Sequence, residues 1–135
     1  MQNLIIEGKK EVYFIPQVRL DAETGICEIS GESYLEETKV FYQDILDWLR
    51  TYMTEVGRSI VFNFNLDYFN TSSSKSILQV LRLLKDYEEA GGNIDVNWYY
   101  QEGDIDMLEE IEDYKEETEI DINIIAVDKI EEEQE

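Results

Sequence analysis

Apolar and polar residues alternate along several segments of the chain, and a period of two is typical of half-buried strands. The clearest segment has apolar side chains at even positions 60–66 and Asn or Asp at odd positions 63–67. Residues 94–98 repeat this pattern, and residues 120–127 form the last predicted strand. Residues 11–30 predict a β-hairpin around the turn sequence DAETG, and Pro16 predicts an edge position for its first strand.

Three other segments follow the helical period instead. Apolar positions recur every three or four residues from Thr38 up to Gly57, which predicts a first helix. A second helix is predicted from about Thr71 to Ala90, where two consecutive glycines end it, and a third, strongly acidic one at about 104–118. On the third helix, Leu108, Ile111 and Lys115 are predicted to share one face.

The order of these elements predicts the fold class. After the hairpin, helices and strands alternate, and strand-helix-strand units pair their strands in parallel. Strands covered on both faces would be continuously apolar, so the alternation predicts helices mainly on one face. We therefore expect a single α/β domain over residues 1–128, with a mixed sheet of about five strands, followed by an acidic tail at 129–135.

Charge and composition narrow the possible functions. The 135 residues carry a net charge of −21, which disfavours binding to nucleic acids and to anionic membranes. One cysteine and no histidine argue against a zinc site and against Ser-His catalysis. The sequence predicts neither a cofactor nor a metal ion. Without a predicted signal peptide or membrane-spanning run, it indicates a cytoplasmic protein.

Four consecutive hydroxyl residues, Thr71 to Ser74, lie where a predicted strand leads into the second helix. A helix start needs one side-chain cap, which Asn70 or Thr71 can supply. Capping leaves the other hydroxyls unexplained. A phosphate attached here would lie near unpaired N–H groups at the positive end of the helix dipole, within reach of Lys75.

Two catalytic or metal-binding alternatives involve residues at the starts of the second and third predicted helices. Ser72 and Lys75 match a Ser-x-x-Lys nucleophile motif, although its companion motifs are absent and the chain is short for such a catalytic domain. The acidic residues around the start of the third helix could bind a divalent cation through oxygen ligands. A small acidic enzyme or metal-binding protein therefore remains the alternative. The acidic residues concerned are Asp104, Asp106, Glu109 and Glu110.

Three segments, ISGESYLEETKVFYQDILDWL, NLDYFNTSSSKSILQVLRLL and VNWYYQEGDIDMLEEIEDY, resemble the SiaC family of bacterial regulatory phosphoproteins. The resemblance implies a STAS-like fold, the fold of anti-sigma-factor antagonists, and a phosphoacceptor at Thr71. It implies a Ser/Thr kinase, a PP2C-type phosphatase and a diguanylate cyclase as partners. The unmodified form would bind and activate the cyclase, which makes cyclic di-GMP, and the protein would not itself be an enzyme.

The wider likeness to STAS domains instead places the modified residue at Ser72, which is the second candidate. We expect partners to contact this region and exposed aromatic residues near it. The predicted partner-binding residues are Tyr68, Phe69, Asn70, Ser72, Ser73, Lys75 and Tyr99.

Overall fold

The computed structural model describes residues 1–11 and 13–128. Val12 and the predicted acidic tail at 129–135 lie outside the described residues. The described part of the chain has three helices, α1 (Thr38–Glu55), α2 (Thr71–Glu89) and α3 (Ile105–Thr118). Its strands are β1 (Leu4–Ile6), β2 (Lys9–Lys10), β3 (Phe14–Ile15), β4 (Gln17–Leu20), β5 (Ile26–Ser33), β6 (Ile60–Phe69), β7 (Ile94–Gln101) and β8 (Asn123–Val127).

The main sheet is mixed, and its six strands lie in the order β1-β4-β5-β6-β7-β8. Strands β4 and β5 form the predicted antiparallel hairpin, with Gln17 opposite Ser30 and Leu20 opposite Cys27. From β5 to β8 every neighbouring pair is parallel. The mixed α/β class is therefore confirmed. The sixth strand is β1, which the sequence analysis did not identify and which pairs antiparallel with β4.

The edge position predicted from Pro16 is wrong. Pro16 is buried and lies between β3 and β4, where the chain passes from a small two-stranded sheet into the main one. Strand β4 is internal, because β1 pairs with it on the side away from β5. The missing N–H of proline interrupts no ladder here, since it falls between two strand segments.

All three helices pack against one face of the sheet. The parallel strands follow one another across the sheet in chain order, and right-handed crossovers that advance in one direction place their helices on the same side. The buried residues of the helices and strands accordingly form one hydrophobic cluster. The predicted one-sided packing is correct. On α3, however, the buried residues are Met107, Ile111, Tyr114 and Thr118 rather than the predicted series through Lys115.

The opposite face of the sheet carries polar side chains. Asn97 donates to Asn63 Oδ1 at 2.9 Å, and Asn123 donates to Asp95 Oδ1 and Asn97 Oδ1, also at 2.9 Å. These amides bridge β6, β7 and β8 on the side away from the helices. The Asn and Asp positions of the alternating pattern thus form an open face.

A register shift between β5 and β6 changes the alternation near the end of β6. Gly31 pairs with Leu66, but Glu32 pairs with Tyr68, so Asp67 is an extra residue on β6. Gly31 has a φ of 99°, a conformation that residues with a side chain rarely adopt. Beyond the shift, Phe69 takes up the covered face and Tyr68 becomes exposed.

Candidate functional site: the start of helix α2

A single residue, Asn70, caps the start of α2. Its backbone is extended, and its side-chain Oδ1 accepts a hydrogen bond from Ser73 N at 3.0 Å. Its own N–H donates to the carbonyl of Ser33 at the end of β5, at 3.1 Å. One side chain therefore meets the capping requirement of the helix, as the sequence suggested.

Ser73 belongs to a buried chain of hydroxyl groups. Its Oγ donates to the Ser33 carbonyl at 3.0 Å and lies 2.8 Å from Ser33 Oγ, which lies 2.8 Å from the hydroxyl of Tyr42. If Tyr42 donates to Ser33 Oγ and Ser33 donates to Ser73 Oγ, every proton in the chain is used. Ser33 and Ser73 are fully buried and Tyr42 nearly so, so the prediction that Ser73 contacts a partner is wrong, since its side chain binds within the protein. The chain joins α2, β5 and α1.

The serines on either side of Ser73 each reach a different helix. Ser72 Oγ lies 2.9 Å from Thr38 Oγ1, at the first residue of α1, and donates to Asn70 Oδ1 at 3.2 Å. Ser74 Oγ lies 2.8 Å from the hydroxyl of Tyr114 on α3, which donates to the Ser74 carbonyl at 3.0 Å. These two serines connect the start of α2 to both neighbouring helices.

Thr71 differs from the three serines. It is exposed, and no hydrogen bond joins its hydroxyl to any described residue. The first turn of α2 contains no acidic residue, so no carboxylate of that turn interacts with the positive end of the helix dipole. Lys75, one turn further along α2, is also exposed and forms no ion pair within the described part of the chain. Of the four hydroxyls, only that of Thr71 is open to modification without loss of such a bond.

Both tyrosines bonded to the serines keep their protons. Burial raises the pKa of Tyr42 well above its usual range, although hydrogen bonding with Ser33 and Ser73 opposes the effect. Burial likewise raises the pKa of Tyr114, with the Ser74 hydrogen bond opposing it. Both phenols therefore remain neutral hydrogen-bond donors at physiological pH.

The three predicted aromatic contacts lie in different surroundings. Tyr68 is exposed, with half of its surface accessible, next to the start of α2. Phe69 is half-buried, its ring centroid 6.2 Å from those of Trp98 and Tyr114, so the expectation that it is exposed is wrong. Tyr99 is also half-buried rather than exposed, beside Ile125 in the register of β7 and β8, although it lies away from the helix-covered core as predicted.

The acidic residues at the start of α3 do not form a metal site. Asp104 caps that helix, its Oδ1 accepting from Met107 N at 3.1 Å. Among residues 1–11 and 13–128, no three carboxylate or thiolate side chains converge at a distance suited to a shared ion. This arrangement gives the metal-binding alternative no support.

Comparison with known proteins decides the family. A family model described as the SiaC family regulatory phosphoprotein matches residues 6–127. The chain belongs to the SiaC family. An uncharacterized protein of Pseudomonas aeruginosa (strain UCBPP-PA14) is 26% identical over 129 residues, covering 96% of this chain and 100% of that relative.

Two solved structures agree with the SiaC assignment. SiaC of Pseudomonas aeruginosa is 25% identical, with a TM-score of 0.84 over 94% of this chain and 100% of its own. The crystal structure of the diguanylate cyclase SiaD in complex with its activator SiaC, from the same species, contains a chain 25% identical with a TM-score of 0.84. That match covers 92% of this chain and 99% of the other. A STAS-like fold is consistent with these likenesses.

The hydroxyl residues were recognisable in the sequence, but the groups that bind them were not. Ser33, Thr38 and Tyr114 lie 34 to 40 residues from the serines that they contact, and Tyr42 is linked to Ser73 through Ser33, which lies 9 residues before Tyr42. No local pattern indicates such pairs.

None of the described helices has the length and apolar character needed to cross a bilayer.

Proposed function

We propose that this SiaC-family protein is a phosphorylation-controlled regulator whose phosphoacceptor is Thr71. The observation that carries this proposal is the difference between Thr71 and its neighbours. The hydroxyls of Ser72, Ser73 and Ser74 each hold α2 against another element, whereas that of Thr71 is exposed and unbonded within the described residues. Modification of Thr71 leaves all three connections in place.

The surroundings of Thr71 suit a phosphate. The Thr71 and Ser72 N–H groups lie in the unpaired first turn of α2, and Lys75 is on the same side of the helix one turn later. An anion in this position typically gains about 0.3–1 kcal/mol when exposed. The phosphate therefore does not unfold the helix. Its main effect is on the affinity of the protein that docks here.

In the proposed cycle, a Ser/Thr kinase phosphorylates Thr71 and a PP2C-type phosphatase removes the phosphate. The protein acts as a regulator rather than as an enzyme. We place this cycle in the cytoplasm, where the kinase has access to ATP. Ser72 remains the second candidate acceptor, although its hydroxyl already binds Thr38 and Asn70.

The proposed effector is a diguanylate cyclase that the unphosphorylated form binds and activates. Support comes from the related SiaC of Pseudomonas aeruginosa, which has been crystallised in complex with the diguanylate cyclase SiaD that it activates. On this chain, we assign the contact to the start of α2 together with the exposed Tyr68. Tyr99 lies on the open face of the sheet, so it extends the contact only if the effector reaches around the edge of the sheet.

Phosphosite mapping after incubation with the cognate kinase and ATP-magnesium tests the acceptor. The wild-type protein should gain one phosphate, localised by tandem mass spectrometry to Thr71. Thr71→Ala should abolish this gain, while the matched variant Ser72→Ala should retain it. Phosphate found on Ser72 or Ser73 in the wild type would show that the acceptor is wrongly assigned.

A further inference from the structure

A groove of about 270 Å³ lies between the end of β6 and the start of α3. We call it the α3 groove. Its walls combine apolar and acidic side chains from both elements. The lining residues are Asp67, Tyr68, Phe69, Asp104, Asp106, Met107 and Glu110.

The apolar part of the α3 groove belongs to the edge of the core. Phe69 packs on Trp98 and Tyr114, and Met107 is 7% exposed, so both are held in place from below. Tyr68 forms the outer wall with half of its surface accessible. The groove therefore offers a fixed apolar surface along which an aliphatic chain can lie.

The acidic part is open to a partner. Asp106 and Glu110 are exposed one helical turn apart on α3, and neither forms an ion pair with the described residues. Asp104, by contrast, is occupied as the cap of α3. Two negative charges above an apolar surface complement a Lys or Arg side chain, whose stem is apolar and whose end is cationic.

The α3 groove includes a residue that is close to Thr71 along the chain. Phe69 is two residues from Thr71, which limits their Cα separation to roughly 7 Å. Tyr114 fixes α3 against the start of α2, since its hydroxyl lies 2.8 Å from Ser74 Oγ. A phosphate on Thr71 would thus add about −1.5 to −2 charges in the neighbourhood of the groove.

We propose that the α3 groove receives a Lys or Arg side chain of the PP2C-type phosphatase that acts on phosphorylated Thr71. This inference rests on the proposed function and adds where that partner docks. The sign of the charge selects the occupant. Phosphate increases the negative potential of the groove, so a cationic side chain binds the phosphorylated form more tightly. The same contact made by the effector would oppose the effector's preference for the unphosphorylated form.

Dephosphorylation kinetics test the assignment. Protein carrying genetically encoded phosphothreonine at position 71 serves as substrate for the cognate phosphatase, so that no kinase is needed. The double variant Asp106→Asn/Glu110→Gln should raise KM about three- to ten-fold, as expected for losing two exposed charge contacts, and leave kcat unchanged. The salt dependence of KM should also become shallower.

The matched control is Glu112→Gln/Glu116→Gln, which removes the same charge from exposed positions of α3 that do not line the groove. Its KM should stay close to that of the wild type, and thermal melting should show that both variants are folded. Equal KM values for the groove variant and the control would overturn the docking assignment alone. Failure of the phosphatase to act on the wild-type phosphoprotein would overturn the proposed cycle as well.

Effector binding provides a second test with the same variants. The unphosphorylated groove variant should bind the diguanylate cyclase as tightly as the wild type does. A loss of cyclase affinity matching the expected rise in KM would assign the groove to the effector and overturn the inference.

Discussion

The first N–H groups of α2 and of α3 lack partners within their helices, and a different side chain caps each helix. Each comes after a parallel strand at the same edge of the sheet, and each is capped by one side chain. Asn70 Oδ1 accepts from Ser73 N at 3.0 Å, and Asp104 Oδ1 accepts from Met107 N at 3.1 Å. One Asn or Asp is therefore sufficient to begin a helix in this protein.

The two helices differ in the residues directly after the cap. The first turn of α3 contains a second acid, Asp106, so negative charge already lies beside the helix dipole. The first turn of α2 contains hydroxyls and no acid. Its serines hold the three helices and β5 together, and the unbonded hydroxyl of Thr71 is where the proposed phosphorylation would add negative charge. The comparison supports the proposal that charge at the start of α2 is reversible, whereas that at the start of α3 is permanent.

The largest expected effect is that of phosphate on effector binding. Phosphorylated Thr71 should weaken cyclase binding by roughly 5–150-fold, the usual range for coupling between two binding events. Thr71→Asp should weaken it less, because one carboxylate carries less charge than a phosphate. Isothermal titration calorimetry with the isolated cyclase measures both. If the wild-type, phosphorylated and Thr71→Asp proteins bound the cyclase equally well, charge at the start of α2 would not control binding.

The buried hydroxyl chain should give the next largest effect. Ser73→Ala removes the hydroxyl between α2 and β5 and leaves the Ser33 carbonyl and hydroxyl without that partner. The free energy of unfolding should fall by about 2 kcal/mol, the typical contribution of two buried hydrogen bonds, because the Ser33 carbonyl keeps its bond from Asn70 N and the Ser33 hydroxyl keeps its bond with Tyr42. Chemical denaturation measures the change, with Ser72→Ala as the exposed control. A loss of stability no larger than that of the control would show that Ser73 does not have the structural role assigned to it.

The two caps should contribute similarly but respond differently to salt. Asn70→Ala and Asp104→Ala should each cost about 1 kcal/mol of stability. The loss for Asp104→Ala should shrink at high salt, because it includes a charge interaction with the helix dipole. Denaturation at low and high salt separates them. A shared salt dependence would mean that the two starts do not differ in their electrostatics.

The smallest stability effect should come from Thr71 itself. Thr71→Ala removes an exposed hydroxyl that binds no described residue, so the free energy of unfolding should change by less than about 0.5 kcal/mol. Cyclase binding should be retained and phosphorylation lost. A large loss of stability in denaturation experiments would reveal a structural role for this hydroxyl. Thr71 would then not differ from the three serines in the way proposed.

Periodicity along the chain was sufficient to predict the helices, the parallel strands and the one-sided packing. These features arise from local hydrogen bonding and from the burial of one side of each element. Both leave a periodic pattern of apolar and polar residues in the sequence. The same local signals narrowed the cap to Asn70 or Thr71 and predicted a helix from about Thr71, and the structure assigns the cap to Asn70. Family resemblance, rather than spacing, singled out Thr71 among the four hydroxyls.

Only the tertiary structure decided which residues meet. The extra residue at Asp67 turned Phe69 into the core and Tyr68 outward, and the pairing of β1 made the strand after Pro16 internal. The partners of Ser72, Ser73 and Ser74 come from three different elements. A local pattern cannot predict such contacts, because they depend on how elements distant in the chain are packed together. That packing is what leaves Thr71 alone exposed and unbonded among the four hydroxyls at the start of α2.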